Sequence, residues 1–180
     1  ILICALASNG QSASEGTWFV YFGNQKINKN WNLQSDFQYR LKQVPDQKNQ
    51  FIARAGLGYN LTPGNHNILL GLAFVNTQFA EALTDKPPLD EKRIYQQYLY
   101  KQNFTNLYTT HRFRLEERFF PNEFGLRSRY FLSAQKPLNG KGLSRNAVYG
   151  SFFNELFVEL KNVKFDRNRL YAGFGYAISN

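Results

Sequence analysis

Cysteine is nearly missing from this chain: Cys4 is the only one in 180 residues. A disulfide framework and a thiolate metal site are thereby excluded. Histidine is almost as scarce, with His66 and His111 alone. No grouping of His, Cys, Asp and Glu has metal-ligand spacing, so no metal and no cofactor is expected. Long apolar runs are absent too. A helical membrane protein needs stretches of about 20 predominantly apolar residues, and the mean hydropathy here is −0.49. Carboxylates are outnumbered: 13 Asp and Glu face 22 Lys and Arg, a formal net charge of +9. Such an excess suits a nucleic acid, an anionic membrane surface or a cationic cavity. What the chain does have is aromatic side chains, 17 Phe and 11 Tyr.

The densest apolar stretch is the first, "ILICALASNGQSAS". Apolar residues followed by small and polar ones read as the tail of a secretory signal peptide, with cleavage near Ala13. The expected division is residues 1–14 as signal remnant and 15–180 as one domain. Cys4 falls inside the remnant, so the mature chain carries no thiol. Bulky Ile3 argues against a lipoprotein reading of Cys4. The bland alternative makes residues 1–7 a buried first strand.

The period of the rest is two. In "WNLQSDFQYRLK", Trp31, Leu33, Phe37, Tyr39 and Leu41 alternate with Asn32, Gln34, Asp36, Gln38, Arg40 and Lys42, with Ser35 alone out of class. Helical spacing would mix Trp31 with Gln34. Phe51, Leu57, Tyr59 and Leu61 likewise alternate with Ile52, Arg54 and Asn60, and Ile68, Leu70, Leu72 and Phe74 with Leu69, Gly71 and Ala73. "TPGNH" is a turn by its chemistry, which leaves His66 solvated, and "AEALTDKPPLDEK" is a longer loop up to a strand at Arg93. "HRFRLEERF" divides its charges by parity: Arg112, Arg114, Glu116 and Arg118 share one face, His111, Phe113, Leu115 and Phe119 the other. Arg127 and Arg129 alternate with Leu126, Tyr130 and Leu132. Arg169 falls opposite Leu170, Phe174 and Tyr176. A segment near 149–159 alternates poorly, and 17–25 is less regular. The sum is nine strand-like segments and no helix.

Adjacent strands joined by turns make an antiparallel sheet, closed or sandwiched. Alternation does not say which face is inside. A soluble lipocalin-type barrel turns the apolar face inward. An outer-membrane barrel turns it to lipid. Strand lengths of ten to twelve residues suit a tilted span, which needs about 9–11. Aromatics near strand ends suit an interfacial girdle. The expected fold is therefore all-β, an antiparallel up-and-down transmembrane β-barrel of roughly 10–12 strands. Nine are visible, and bacterial single-chain barrels usually have an even number, so at least one further strand is expected beyond Asn180.

The segments "GTWFVYFGNQKINKNWNLQSDFQYR", "FIARAGLGYNLT", "EKRIYQQ", "HRFRLEERF", "RSRYFLS", "FNELF" and "FDRNRLYAGFGYAIS" occur in an order that resembles a bacterial family. It is the one catalogued as domain of unknown function 2490, and the likeness runs from about Gly16 to the end. The resemblance implies a small outer-membrane β-barrel, and brings no activity and no catalytic residue.

In that fold the polar phase lines a lumen: Asp36, Arg40, Arg54, Arg93, Arg112, Arg114, Glu116, Arg118, Arg127, Arg129 and Arg169. The lipid-facing phase holds Trp31, Leu33, Phe37, Tyr39, Leu41, Leu57, Tyr59, Phe113, Leu115, Tyr130, Phe174 and Tyr176. Arginine greatly outnumbers carboxylate in the first set. The bland reading is a plug of paired side chains, because a barrel of about 8 strands is just filled by its own residues. The functional reading is a narrow channel that prefers anions.

Other classes fare worse. A lipid hydrolase needs a nucleophile within reach of His111. Phe113 stands two residues along and Thr109 two back, so no catalytic residue and no enzyme is expected. Single-stranded nucleic acid needs aromatics and arginines on one face, whereas here they alternate. The expected partners are outer-membrane lipid and small anionic solutes, in the outer membrane of a bacterium. The alternative is a secreted or periplasmic lipocalin-like binder, with Phe37, Tyr39 and Leu57 around an apolar ligand and Arg112 and Arg114 hydrated.

Overall fold

A computed structural model describes residues 16–42, 48–62, 65–79, 88–140 and 142–178. The expectations for residues 1–14, Cys4 included, lie outside the described residues, as does most of the loop before Leu89.

The described chain is all-β. Nine strands run β1 (Gly16–Lys26), β2 (Trp31–Lys42), β3 (Lys48–Thr62), β4 (His66–Phe79), β5 (Leu89–Phe104), β6 (Leu107–Phe119), β7 (Phe124–Pro137), β8 (Val148–Glu159) and β9 (Lys164–Tyr176). They form one antiparallel up-and-down sheet in chain order, β1 to β9. Each strand is built from the period-two pattern, and β-branched and aromatic residues fill it. Several are longer than their alternation indicated. β5 starts at Leu89, four residues before Arg93, and β4 at His66. No helix among the described residues is long and apolar enough to cross a membrane, which says nothing of strands.

The turns follow local chemistry. Between β1 and β2 the Asn28 side chain accepts from the Asn30 and Trp31 amides at 3.0 and 2.9 Å, closing an Asx turn. Between β7 and β8, Gly140 and Gly142 take the left-handed conformation at φ 71° and 62°, which suits residues without a Cβ.

Two compact units divide the described residues. The first holds the residues up to Gly58, with Leu70–Tyr95 and Glu117–Gly125; the second holds Tyr59–Leu69, Gln96–Glu116 and the residues from Leu126 on. In both units burial follows parity: the buried side carries most of the charged residues together with Ile52, Leu69, Val75, Tyr95 and Phe157, and the exposed side is largely apolar. In the first, Leu33, Phe37, Tyr39, Leu57, Leu70 and Phe74 are exposed, and Leu72 is 64% exposed. The polar-phase residues Asn32, Gln38, Glu91 and Arg93 are buried. In the second, Phe113, Leu115 and Phe174 are exposed, while Arg114, Glu116, Arg127, Arg129 and Glu155 are buried. Close approach on the buried side is made possible at Gly71, where an added Cβ would overlap the ring of Tyr95.

Candidate functional site

The candidate site is the buried polar face of β6–β9 in the second unit. Parity places Arg112, Arg114 and Glu116 on one side of β6, and Arg127 and Arg129 on the same side of β7. On β8 the residues at this phase are Phe153, Glu155 and Phe157. Register carries the set onto β9: Glu155 stands opposite Arg169, and Phe157 opposite Arg167. Beyond Phe157 the β8–β9 register slips, with Val158 opposite Phe165, so Asp166 is the extra residue.

Two carboxylates organise the guanidinium groups. Glu116 is 1% exposed. Its Oε2 accepts from Arg127 Nη2 at 2.6 Å and Nε at 3.2 Å. Its Oε1 accepts from Arg129 Nη1, and Arg114 Nη1 lies 3.7 Å away. Arg129 also donates to Glu155 Oε1 through Nη2 and, at 3.1 Å, through Nε. Glu155 accepts from Arg112 Nη2 at 2.9 Å, and Arg169 Nη1 stands 3.7 Å from its Oε2. Arg114 donates to Gln97 Oε1 at 2.6 and 3.1 Å. Asp166 sits between Arg127 at 3.3 Å and Arg167 at 3.2 Å. A guanidinium has five donors and no acceptor. Burying it demands such partners, since an unpaired buried charge is costly.

A ring lies among these charges. Phe157 is 2% exposed. The guanidinium carbons of Arg129 and Arg169 lie 4.6 and 4.8 Å from its centroid, and those of Arg127 and Arg167 5.5 and 5.6 Å. Arg112 stands 4.5 Å above Phe131. The ring quadrupole attracts each cation, by about 0.5–2 kcal/mol depending on desolvation. The expectation that rings and arginines keep to opposite faces therefore fails on β7–β9. Parity itself puts Phe131, Phe153 and Phe157 on the charged side.

The first unit carries two smaller networks. Asp36 pairs with Arg54 and accepts from Gln38 at 2.9 Å. Gln38 in turn accepts from Arg40 Nε at 3.1 Å, and the Arg40 guanidinium lies 4.4 Å from the Trp18 ring. Glu91 accepts from Arg93 at 2.7 Å through both oxygens and pairs with Arg118. Each arginine expected on the polar phase thus has a carboxylate or amide partner in its own unit.

Sequence reasoning missed three of those carboxylates. Glu91 was read into a loop, because "KPPLDEK" masks the start of β5. Glu155 lies on the strand whose alternation Phe153 and Phe157 spoil. Asp166 is bulged, so parity cannot place it. The residues expected on the apolar phase divide by exposure. Trp31, Leu33, Phe37, Tyr39, Leu57, Phe113, Leu115, Phe174 and Tyr176 are exposed. Leu41, Tyr59 and Tyr130 are half-buried.

That side of the second unit also holds a band of rings. His66 is not a solvated turn residue but opens β4, half-buried and stacked 4.5 Å from Tyr100. Its Nδ1 lies 2.7 Å from Tyr98 Oη. His111 Nδ1 lies 2.9 Å from Tyr130 Oη, and its ring centroid lies 6.0 Å from that of Tyr100. Among the described residues, no group of three His, Cys, Asp or Glu could hold a metal ion.

The family model described as Protein of unknown function (DUF2490) matches residues 15–180. The chain belongs to that family. No curated protein and no solved structure matches it.

Proposed function

We propose that this DUF2490 member is a small outer-membrane β-barrel whose arginine-rich face lines a narrow interior. The carrying observation is the inverted burial: Leu72 and Phe174 are 64% and 83% exposed while Glu116 is 1% exposed. Water would reverse that choice, because exposing apolar area costs about 25 cal/mol per Å². Lipid would favour it. A lipocalin-like binder fits the faces poorly, since Phe37, Tyr39 and Leu57 are exposed and Arg114 is buried.

The dense pairing at Glu116 and Glu155 supports a filled, structural interior. One observation favours slow anion passage as a second reading. Among the described residues of the β6–β9 cluster, six arginines face Glu116, Glu155, Glu159 and Asp166, more cations than carboxylates. A cationic constriction selects anions. We assign no catalytic role to His111, because its partners are the phenol of Tyr130 and the ring of Tyr100 rather than a Ser or Thr nucleophile.

Cell fractionation tests the proposal. The expected result is recovery with the outer membrane and a heat-modifiable gel band. Recovery as a detergent-free soluble monomer would overturn it. Conductance in planar bilayers separates the two interiors: a plug is silent, and a channel loses its anion preference on Arg114→Glu.

A further inference from the structure

We propose that the polar face of β7–β9 holds a binding site for aromatic monocarboxylates, with Arg169 as its anchor and Phe153 and Tyr171 as its wall. This names a solute class for the face described above and rests on that reading for its access route.

Charge supplies the first half of the argument. Glu155 is shared among Arg112, Arg129 and Arg169, and its hydrogen bonds go to Arg112 and Arg129. Arg169 reaches it only at 3.7 Å and donates no side-chain hydrogen bond among the described residues. It is half-buried, and its remaining contact is with the Phe157 ring at 4.8 Å. A planar fork of donors held against a ring, with its acceptor already used by others, suits a bidentate carboxylate. Phe157 lies against the fork on one side. The surplus of arginine over carboxylate in this cluster makes an added anion favourable rather than redundant.

Shape supplies the second half. Glu155 faces Arg169 across the β8–β9 ladder, and two residues along Phe153 faces Tyr171. Those rings stack at 4.9 Å and 17°, and Phe131 continues the row at 5.4 Å from Phe153. Tyr171 lies over Gly173, where a Cβ would overlap its hydroxyl. Two residues along a strand span about 7 Å, a distance that one ring bearing a carboxylate covers. The Phe153–Tyr171 pair offers π surface, and the next cation along the row, Arg112, lies over Phe131 and already donates to Glu155. A ligand charged at one end only, with a planar body, matches it better than phosphate or acetate.

The test uses the folded full chain in detergent, titrated with sodium benzoate, and with acetate or inorganic phosphate at matched ionic strength. Calorimetry and benzoate line broadening read the binding. Saturable benzoate binding is expected, at least tenfold tighter than acetate or phosphate. Arg169→Gln should weaken it tenfold or more, and Arg169→Lys should weaken it less. Tyr171→Leu should weaken benzoate while leaving acetate unchanged. The heat-modifiable band checks folding of each variant, and if Arg169→Gln loses it, Tyr171→Leu carries the decision. No saturable benzoate binding, equal affinity for the three anions, or indifference to the variants overturns the proposal. A chain that binds benzoate but stays out of the outer membrane keeps the site and removes the membrane reading. One that inserts without binding does the converse.

Discussion

Glu116 is the residue at which the proposed paired interior can be tested most directly. It is 1% exposed and faces Arg127, Arg129 and, at 3.7 Å, Arg114. Replacing it by Leu removes a carboxylate common to all three. Each arginine keeps a second partner: Gln97 for Arg114, Asp166 for Arg127, Glu155 for Arg129. The loss is therefore not that of three stranded cations. Hydrogen bonds to charged groups contribute about 1.5–3 kcal/mol each, and two close pairs are lost. Removing one partner of a buried pair costs about 3–5 kcal/mol. Both routes converge on a destabilisation of about 3–5 kcal/mol for Glu116→Leu. Glu116→Gln keeps one acceptor and should lose about 2–3 kcal/mol. Urea titration in detergent or vesicles reads this through the fluorescence of Trp18 and Trp31 and through the heat-modifiable band. The loss should persist in 1 M salt, where the Debye length is about 3 Å, because buried pairs are screened little. A loss under about 1 kcal/mol, or one erased by salt, would mean a hydrated cavity in which exposed-pair energies apply. The plugged interior would then be refuted.

Glu91→Gln should cost about 2–3 kcal/mol by the same assay, because Arg93 and Arg118 both donate to that carboxylate. Leu72→Arg should cost about 2–4 kcal/mol in vesicles if that face meets lipid near the midplane; an unchanged urea midpoint would count against a lipid-facing Leu72. Gly71→Val should cost about 1–3 kcal/mol by overpacking against Tyr95, and Tyr95→Ala should restore part of it; no recovery in the double variant would disprove the clash. His111→Ala should leave lipase activity as it is in the unaltered chain and lower stability by about 1 kcal/mol through loss of the Tyr130 hydrogen bond; selective loss of such activity would reinstate a hydrolase.

The strands were legible because a pleated chain alternates its side chains, and that period is written locally. In β2, β4 and β6 the two faces could be read residue by residue from Trp31, Ile68 or His111 onward. Local reading failed where period two was broken or hidden. Phe153 and Phe157 put rings on the charged side of β8, so the parity of Glu155 was lost with them. Asp166 is the extra residue of a bulge, which shifts phase only when a partner strand is present. Glu91 stood behind a Pro-Pro pair and was taken for loop.

By itself, then, the sequence determined the strand order, the segregation of arginine from most apolar residues, and the family. It could not say which face is buried, since period two is the same for a barrel and its inverse. Nor could it balance the arginines. Their partners arrive from other strands through hydrogen-bonded register, and a carboxylate's place across a ladder is a property of two segments, never of one. Only the tertiary structure put Glu116 and Glu155 among the guanidiniums, laid Phe157 beneath four of them, and left Arg169 with donors to spare.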